Sequence, residues 1–244
     1  MKRIDFLRKA GLSLITTAAL TSCKEDEVVS SGSTTTTTTT TGSTNGSSSS
    51  DCTVTNAETE GPFPTKTPSS LVTNDIRSDR KGLKMIANIT IKNKNASCAA
   101  LKGAIVDIWH CDADGNYSQY GGTQMQSTNY TSVSFLRGRQ VTDTNGLVSF
   151  TTIFPGWYSS RAVHIHVHIY DSSGKSLLVT QIAFPAAVCD TVFTTVTDIY
   201  KKGKADTTNE RDNVFGDGYA NELASLSGNT TDGYTLAHTI VVSA

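Results

Sequence analysis

From residue 84 onward, apolar and polar positions alternate in short runs, with the two-residue period of strands buried on one face. The runs are KMIANITIKN (84–93), AIVDIWHC (104–111), LVSFTTIF (147–154), RAVHIHVHIY (161–170), SLLVTQIAF (176–184) and YTLAHTIVV (234–242). Gly, Asn or Asp bounds the first three, and DSSG (171–174) predicts a hairpin turn between the fourth and fifth. Many short strands at this spacing predict an all-β chain, a single antiparallel β-sandwich with long loops and one or two short helices. Helical spacing occurs in AVCDTVFTTVTDIYKKG (187–203), where Val188, Val192, Phe193, Val196 and Tyr200 share a side before Lys201, Lys202 and Gly203. Its β-branched residues weaken that helix.

Composition divides the chain. Its 244 residues carry a net charge of −1, without the basic excess of a nucleic-acid partner. Lys2, Arg3 and Arg8 precede the apolar run 10–20, too short to span a membrane but suited to a signal peptide (1–22). The run ends in Leu20, Thr21, Ser22 and Cys23, which resembles a bacterial lipobox and predicts export to the cell envelope, with a lipid on Cys23 as the membrane partner. The start also resembles a twin-arginine signal, with Ile4 at the second arginine. Residues 23–51 are dominated by Ser, Thr and Gly and predict a flexible tether; 52–244 is then the folded domain. Its Cys52, Cys98, Cys111 and Cys189 could form up to two disulfides. A strand over 102–111 spans roughly 30 Å, which disfavours pairing Cys98 with Cys111 and leaves the other pairings open.

The candidate chemistry sits on the fourth strand. There His164, His166 and His168 share one face while Ile165, Val167 and Ile169 take the other. Neighbouring residues on that face are about 6.5–7 Å apart, so two imidazoles can converge on one metal ion. Tyr158 follows the turn FPGW, and Tyr117 ends the turn DADGN. Phenolates are hard anionic donors that favour a small, highly charged ion such as Fe(III). The long polar segment 112–138 reads as an ordered loop beside the site, with Tyr120, Tyr130 and Arg137 as candidate pocket residues. His110 is expected to point away from Trp109.

Four stretches together are similar to the intradiol ring-cleavage dioxygenases, the family of catechol and protocatechuate dioxygenases. They are TEGPFP (59–64), GAIVDIWHCDADGNYS (103–118), FLRGRQVTDTNGLVSFTTIFPGWY (135–158) and SRAVHIH (160–166), and the resemblance covers roughly 55–185. It implies one non-haem Fe(III) per domain, ligated by Tyr117, Tyr158, His164 and His166. It also implies that Arg161 faces the substrate ring, that Gln181 stands near the iron, and that Gly61, Pro62 and Trp109 border the substrate pocket. The reaction implied is O2-dependent cleavage of a catechol-type ring between its hydroxylated carbons, to a cis,cis-muconate-type product; Tyr158 would leave the metal and take up a proton. His168 matches no ligand and reads as a same-face neighbour. Parts of the sequence also resemble prealbumin-like sandwich repeats of surface proteins, so the sandwich core is expected to be prealbumin-like. A non-catalytic binding or spacer module is the alternative function, though it leaves the tyrosine and histidine set unexplained.

Overall fold

The computed structural model describes residues 52–244, so the signal, tether and Cys23 expected within 1–51 lie outside the described residues. Among these residues nine strands form two sheets. In chain order they are β1 (Lys84–Asn93), β2 (Ala99–Ala100), β3 (Ile105–Trp109), β4 (Arg137–Val141), β5 (Leu147–Ile153), β6 (His164–Tyr170), β7 (Ser176–Ala183), β8 (Ser225–Asn229) and β9 (Gly233–Val242), with one α-helix, α1 (Ala186–Thr195), after β7. One sheet has the order β2-β1-β9-β8, with β5 also on β1; the other is β4-β3-β6-β7.

The alternating residues become the core. Met85, Ala87, Ile89 and Ile91 of β1 pack in one buried cluster with Val106 and Ile108 of β3, and with Ile165, Val167 and Ile169 of β6. Fully burying a side chain of this size contributes about 1.5–3 kcal/mol, so a one-residue slip of β6 would exchange that layer for histidines. The expected hairpin joins β6 to β7, with Asp171 accepting from the backbone N–H groups of Ser173 and Lys175. Six expected strands are present, and the sandwich is as anticipated. One pairing departs from antiparallel order: β1 runs parallel to β9, in register from Met85 opposite Tyr234 to Asn93 opposite Val242.

The helix is shorter than its sequence pattern. It stops at Thr195, where Thr191 and Thr194 already turn their hydroxyls onto the Ala187 and Asp190 carbonyls. Tyr200 lies outside the helix; its hydroxyl donates to the Phe154 carbonyl and accepts from Leu83 N–H. Packing of that buried phenol between the backbones at two strand ends outweighs the helical spacing. His110 is fully buried and turned away from Trp109, with Nδ1 donating to the Cys111 carbonyl and Nε2 2.7 Å from Thr152 Oγ1.

The cysteines correct the expected membrane partner and cell-envelope location. Cys52, the first cysteine of the described chain, is bonded to Cys98 and has no thiol free for a lipid. Cys111 and Cys189 are buried and unpaired, so one disulfide forms among the described residues. No helix among the described residues is long and apolar enough to cross a membrane. Cys23 itself lies outside the described residues, and no lipid anchor is proposed.

Candidate active site

Strand β6 presents His164 and His166 on the outer face of its sheet, opposite the core residues Ile165 and Val167. His166 pairs in register with Trp109 of β3, and the two rings lie flat on each other, with centroids 4.8 Å apart and planes within 2°. Gly61 closes the other side: its φ is +65°, and a Cβ there would stand 3.1 Å from His166 Cε1. Pro62 beside it is exposed at the rim. His164 Nδ1 donates to the Ala162 carbonyl at 2.6 Å, which leaves a lone pair on its Nε2. That Nε2 faces His166 Nε2 at 3.2 Å.

The two tyrosines arrive on turns. Asp112 accepts from the N–H groups of Asp114 and Asn116 and so shapes the turn before Tyr117. Gly115 (φ +86°) lets this turn abut the other loop, since a Cβ there would lie 2.2 Å from the Trp157 carbonyl oxygen. Gln126 grips the Tyr117 backbone from both sides, accepting its N–H at 2.6 Å and donating to its carbonyl at 2.9 Å. The Tyr117 ring is fully buried against Phe63, at 4.8 Å, and its hydroxyl lies 3.3 Å from His164 Nε2. Tyr158 packs edge-on to Tyr117 and to His164, each at 5.7 Å between centroids. Arg161 NH1 sits 3.3 Å from the Tyr158 hydroxyl and 3.5 Å from His164 Nε2.

The Tyr117 hydroxyl and the two imidazoles thus meet at one point, with the Tyr158 ring packed beside them. Separations of 3.2–3.3 Å are those of neighbouring ligands around one ion bound at about 2.0–2.1 Å. Burial pushes His164 down to about 3, with Arg161 adding to it. Burial, then His164 and Arg161, hold His166 well below the usual imidazole range. Both are therefore neutral, the form that binds metal. Burial raises the Tyr117 phenol well above its ordinary value, with Tyr158 and Cys111 adding and Arg161 opposing. Burial likewise raises Tyr158. Without a cation these phenols hold their protons, and a bound ion of high charge is what would stabilise them as phenolates. Among the described residues no three His, Cys, Asp or Glu side chains gather as a metal site. Here the anionic donors would be phenolates, a set that fits ferric iron better than zinc.

The other expected residues divide. Arg161 donates to Gln181 Oε1, and Gln181 Nε2 donates to the Thr59 carbonyl, so both belong to the site wall. Tyr120 donates to the Pro64 carbonyl at the margin. Arg137 is buried behind the site, tying the Phe63 and Ser118 carbonyls together, and Tyr130 packs on Phe135 in a separate cluster. His168 stays outside the ligand group, near Glu60, Ser176 and Tyr170. Phe63, Gln126 and Asp212 were not foreseen. Asp212 binds Arg161 from 51 residues away, with no periodic signal linking them.

A buried acid near this wall has a measurable consequence. Glu222 is fully buried, with Oε1 accepting from Thr180 and Oε2 unpartnered; burial pushes it up to about 8 from 4.5. Its folded pKa exceeds the unfolded one, so the folded state binds more protons between these values. Stability is then lost as pH rises through that window, by on the order of a few kcal/mol. Glu222→Gln is expected to gain several degrees in Tm over the wild type at pH 8.5 relative to pH 4.5; an equal difference at both pH values in thermal melts would refute this.

The chain is similar to known dioxygenases. A family model described as dioxygenase matches residues 60–214. A chlorocatechol 1,2-dioxygenase of Rhodococcus opacus is 29% identical over 154 residues, 53% of this chain and 56% of that enzyme, so the chain spans little more than half the length of this curated relative. An intradiol ring-cleavage dioxygenase from Tetranychus urticae superposes with a TM-score of 0.70 at 26% identity, covering 79% of this chain and 95% of that one. The dioxygenase domain of a carbohydrate-binding fusion from Streptomyces sp. SirexAA-E shares the fold, with a TM-score of 0.57 at 22% identity over 78% of this chain and 99% of that one.

Proposed function

Since the chain belongs to the intradiol ring-cleavage dioxygenase family, we propose that its 52–244 domain is a non-haem Fe(III) enzyme. It cleaves a catechol-type ring between the two hydroxylated carbons, placing both atoms of O2 in a cis,cis-muconate-type product. The convergence of Tyr117, His164 and His166 at 3.2–3.3 Å, with Tyr158 packed beside them and Arg161 at its hydroxyl, carries this reading. Ferric iron held by those four residues would supply Lewis acidity toward the vicinal hydroxyl oxygens of the substrate.

The chain's own groups have separate tasks. Tyr158 is less buried than Tyr117, which suits it to leave the metal and take up a substrate proton. Arg161 places a fixed positive charge where a catecholate ring gains negative charge, at no reorganisation cost during the reaction. Trp109 and Gly61 clamp the His166 ring between them, while Pro62 and Gln181 border the space a diol would enter. A spacer or binding sandwich has no use for buried histidine nitrogens facing each other at 3.2 Å.

Purified iron-loaded protein is expected to show a broad visible tyrosinate-to-Fe(III) band that shifts when catechol is added without air. Admitting ¹⁸O2 should then give a ring-opened diacid carrying two labels. A protein that stays colourless with iron supplied would overturn the assignment.

A further inference from the structure

Every nitrogen of the Arg161 guanidinium is engaged, and the strongest partner lies far off in sequence. Its Nε donates to both oxygens of Asp212 at 2.9–3.0 Å, NH2 donates to Gln181, and NH1 is left pointing at the Tyr158 hydroxyl and His164 Nε2 at 3.3 and 3.5 Å. The Asp212 side chain is fully buried and that of Arg161 is 11% exposed. Asp212 is itself fixed, because its carboxylate also accepts the N–H of Ala162 at 2.8 Å and of Val214 at 3.0 Å, capping the short 3-10 turn Asn213–Phe215.

A second carboxylate from the same segment grips the same loop. Asp206 accepts from Ser159 Oγ at 2.6 Å and from Ser160 N–H at 3.2 Å, where Ser160 is held at φ +70°. Trp157 Nε1 donates to the Gly203 carbonyl, and Lys202 donates to the Trp157 carbonyl. The stretch 202–214 thus straps the loop 157–162, which carries both Tyr158 and Arg161.

We propose that Asp212 is a positioning residue for the reaction: it takes the Nε side of the Arg161 fork and thereby aims NH1 at the substrate-facing oxygen of Tyr158. This rests on the dioxygenase reading above. Arginine's long side chain has many rotamers, and a planar fork held on one edge presents its other edge in one direction. Asp212 touches no substrate atom in this scheme and acts through Arg161.

Asp212→Asn keeps an acceptor oxygen for the loop but removes the charge. The iron content, the tyrosinate band and its anaerobic shift with catechol are expected to persist, with KM within about threefold and kcat lowered roughly 30-fold. In the double variant with Arg161→Ala, the loss should be no greater than with Arg161→Ala alone, since the two residues act as a unit. Losses that multiply would overturn the inference, as would an Asp212→Asn enzyme with unchanged kcat. The iron-free wild type provides a check that needs no variant to fold and no activity. The Arg161 Nε–H resonance should exchange with solvent at least tenfold more slowly than that of the exposed Arg211, and equal exchange would overturn the proposal. Absence of the tyrosinate band in the wild type would instead sink the dioxygenase reading and leave this exchange test standing.

Discussion

Tyr117→Phe is expected to give a folded protein that has lost its iron and its turnover, with metal affinity down by roughly a hundredfold or more. The substitution removes one atom. The ring keeps its stack on Phe63, and Gln126 continues to hold the backbone at both N–H and carbonyl. The lost hydroxyl has a long contact to His164 Nε2, 3.3 Å, and one to the Tyr158 side chain, so stability should stay within about 1–2 kcal/mol of the wild type. What would disappear is one of the two hard anionic donors proposed, which would leave a trivalent ion with two neutral imidazoles and a single phenolate. Iron per protein by elemental analysis, together with a thermal melt, separates lost metal from lost fold. A variant that retains full iron would contradict the ligand assignment of Tyr117. His166→Ala should also lose iron, but it empties the slot between Trp109 and Gly61, so its stability is less cleanly interpreted.

Arg161→Ala should do the opposite, keeping iron and colour while losing turnover by a factor of about 10²–10³ in kcat, the scale of removing a preorganised charge from a buried reacting centre. The ligand oxygens and nitrogens stay in place, so the visible band should still move on adding catechol without air. The same variant strands the Asp212 carboxylate in the interior, and breaking a buried pair in this way costs about 3–5 kcal/mol. A lower Tm should therefore accompany the kinetic loss. Rates must be compared well below the variant's melting range, and unchanged turnover under those conditions would remove Arg161 from the reaction.

Where the alternation was strong, it was sufficient. Residues 84–93 became β1, and the histidines of β6 went to the face opposite Ile165, Val167 and Ile169 because adjacent side chains on a strand must point apart. The strands that escaped notice are β2, β4 and β8, with sequences AA, RGRQV and SLSGN. Their polar or minimal composition reflects sheet-edge positions, where little apolar surface is buried. The helix was overextended for a different reason: its spacing was helical, but Tyr200 is drawn to the Phe154 carbonyl and Leu83 N–H of the sandwich.

Most of the candidate ligand set was legible because it rests on short spacings: His166 stands two positions after His164, Tyr158 six before His164, and Arg161 three before the first histidine. The sequence alone determined which residue types stand at those positions and which strand face carries them. Tertiary structure decided which neighbours hold them: Gly61 against His166, Phe63 on Tyr117, and Asp212 on Arg161. It also decided the Cys52–Cys98 bond and the parallel pairing of β1 with β9. Local periodicity comes from backbone geometry over a few residues and is written in consecutive positions. Contacts across tens of residues depend on how the sheets close on one another, and no run of neighbouring side chains records that.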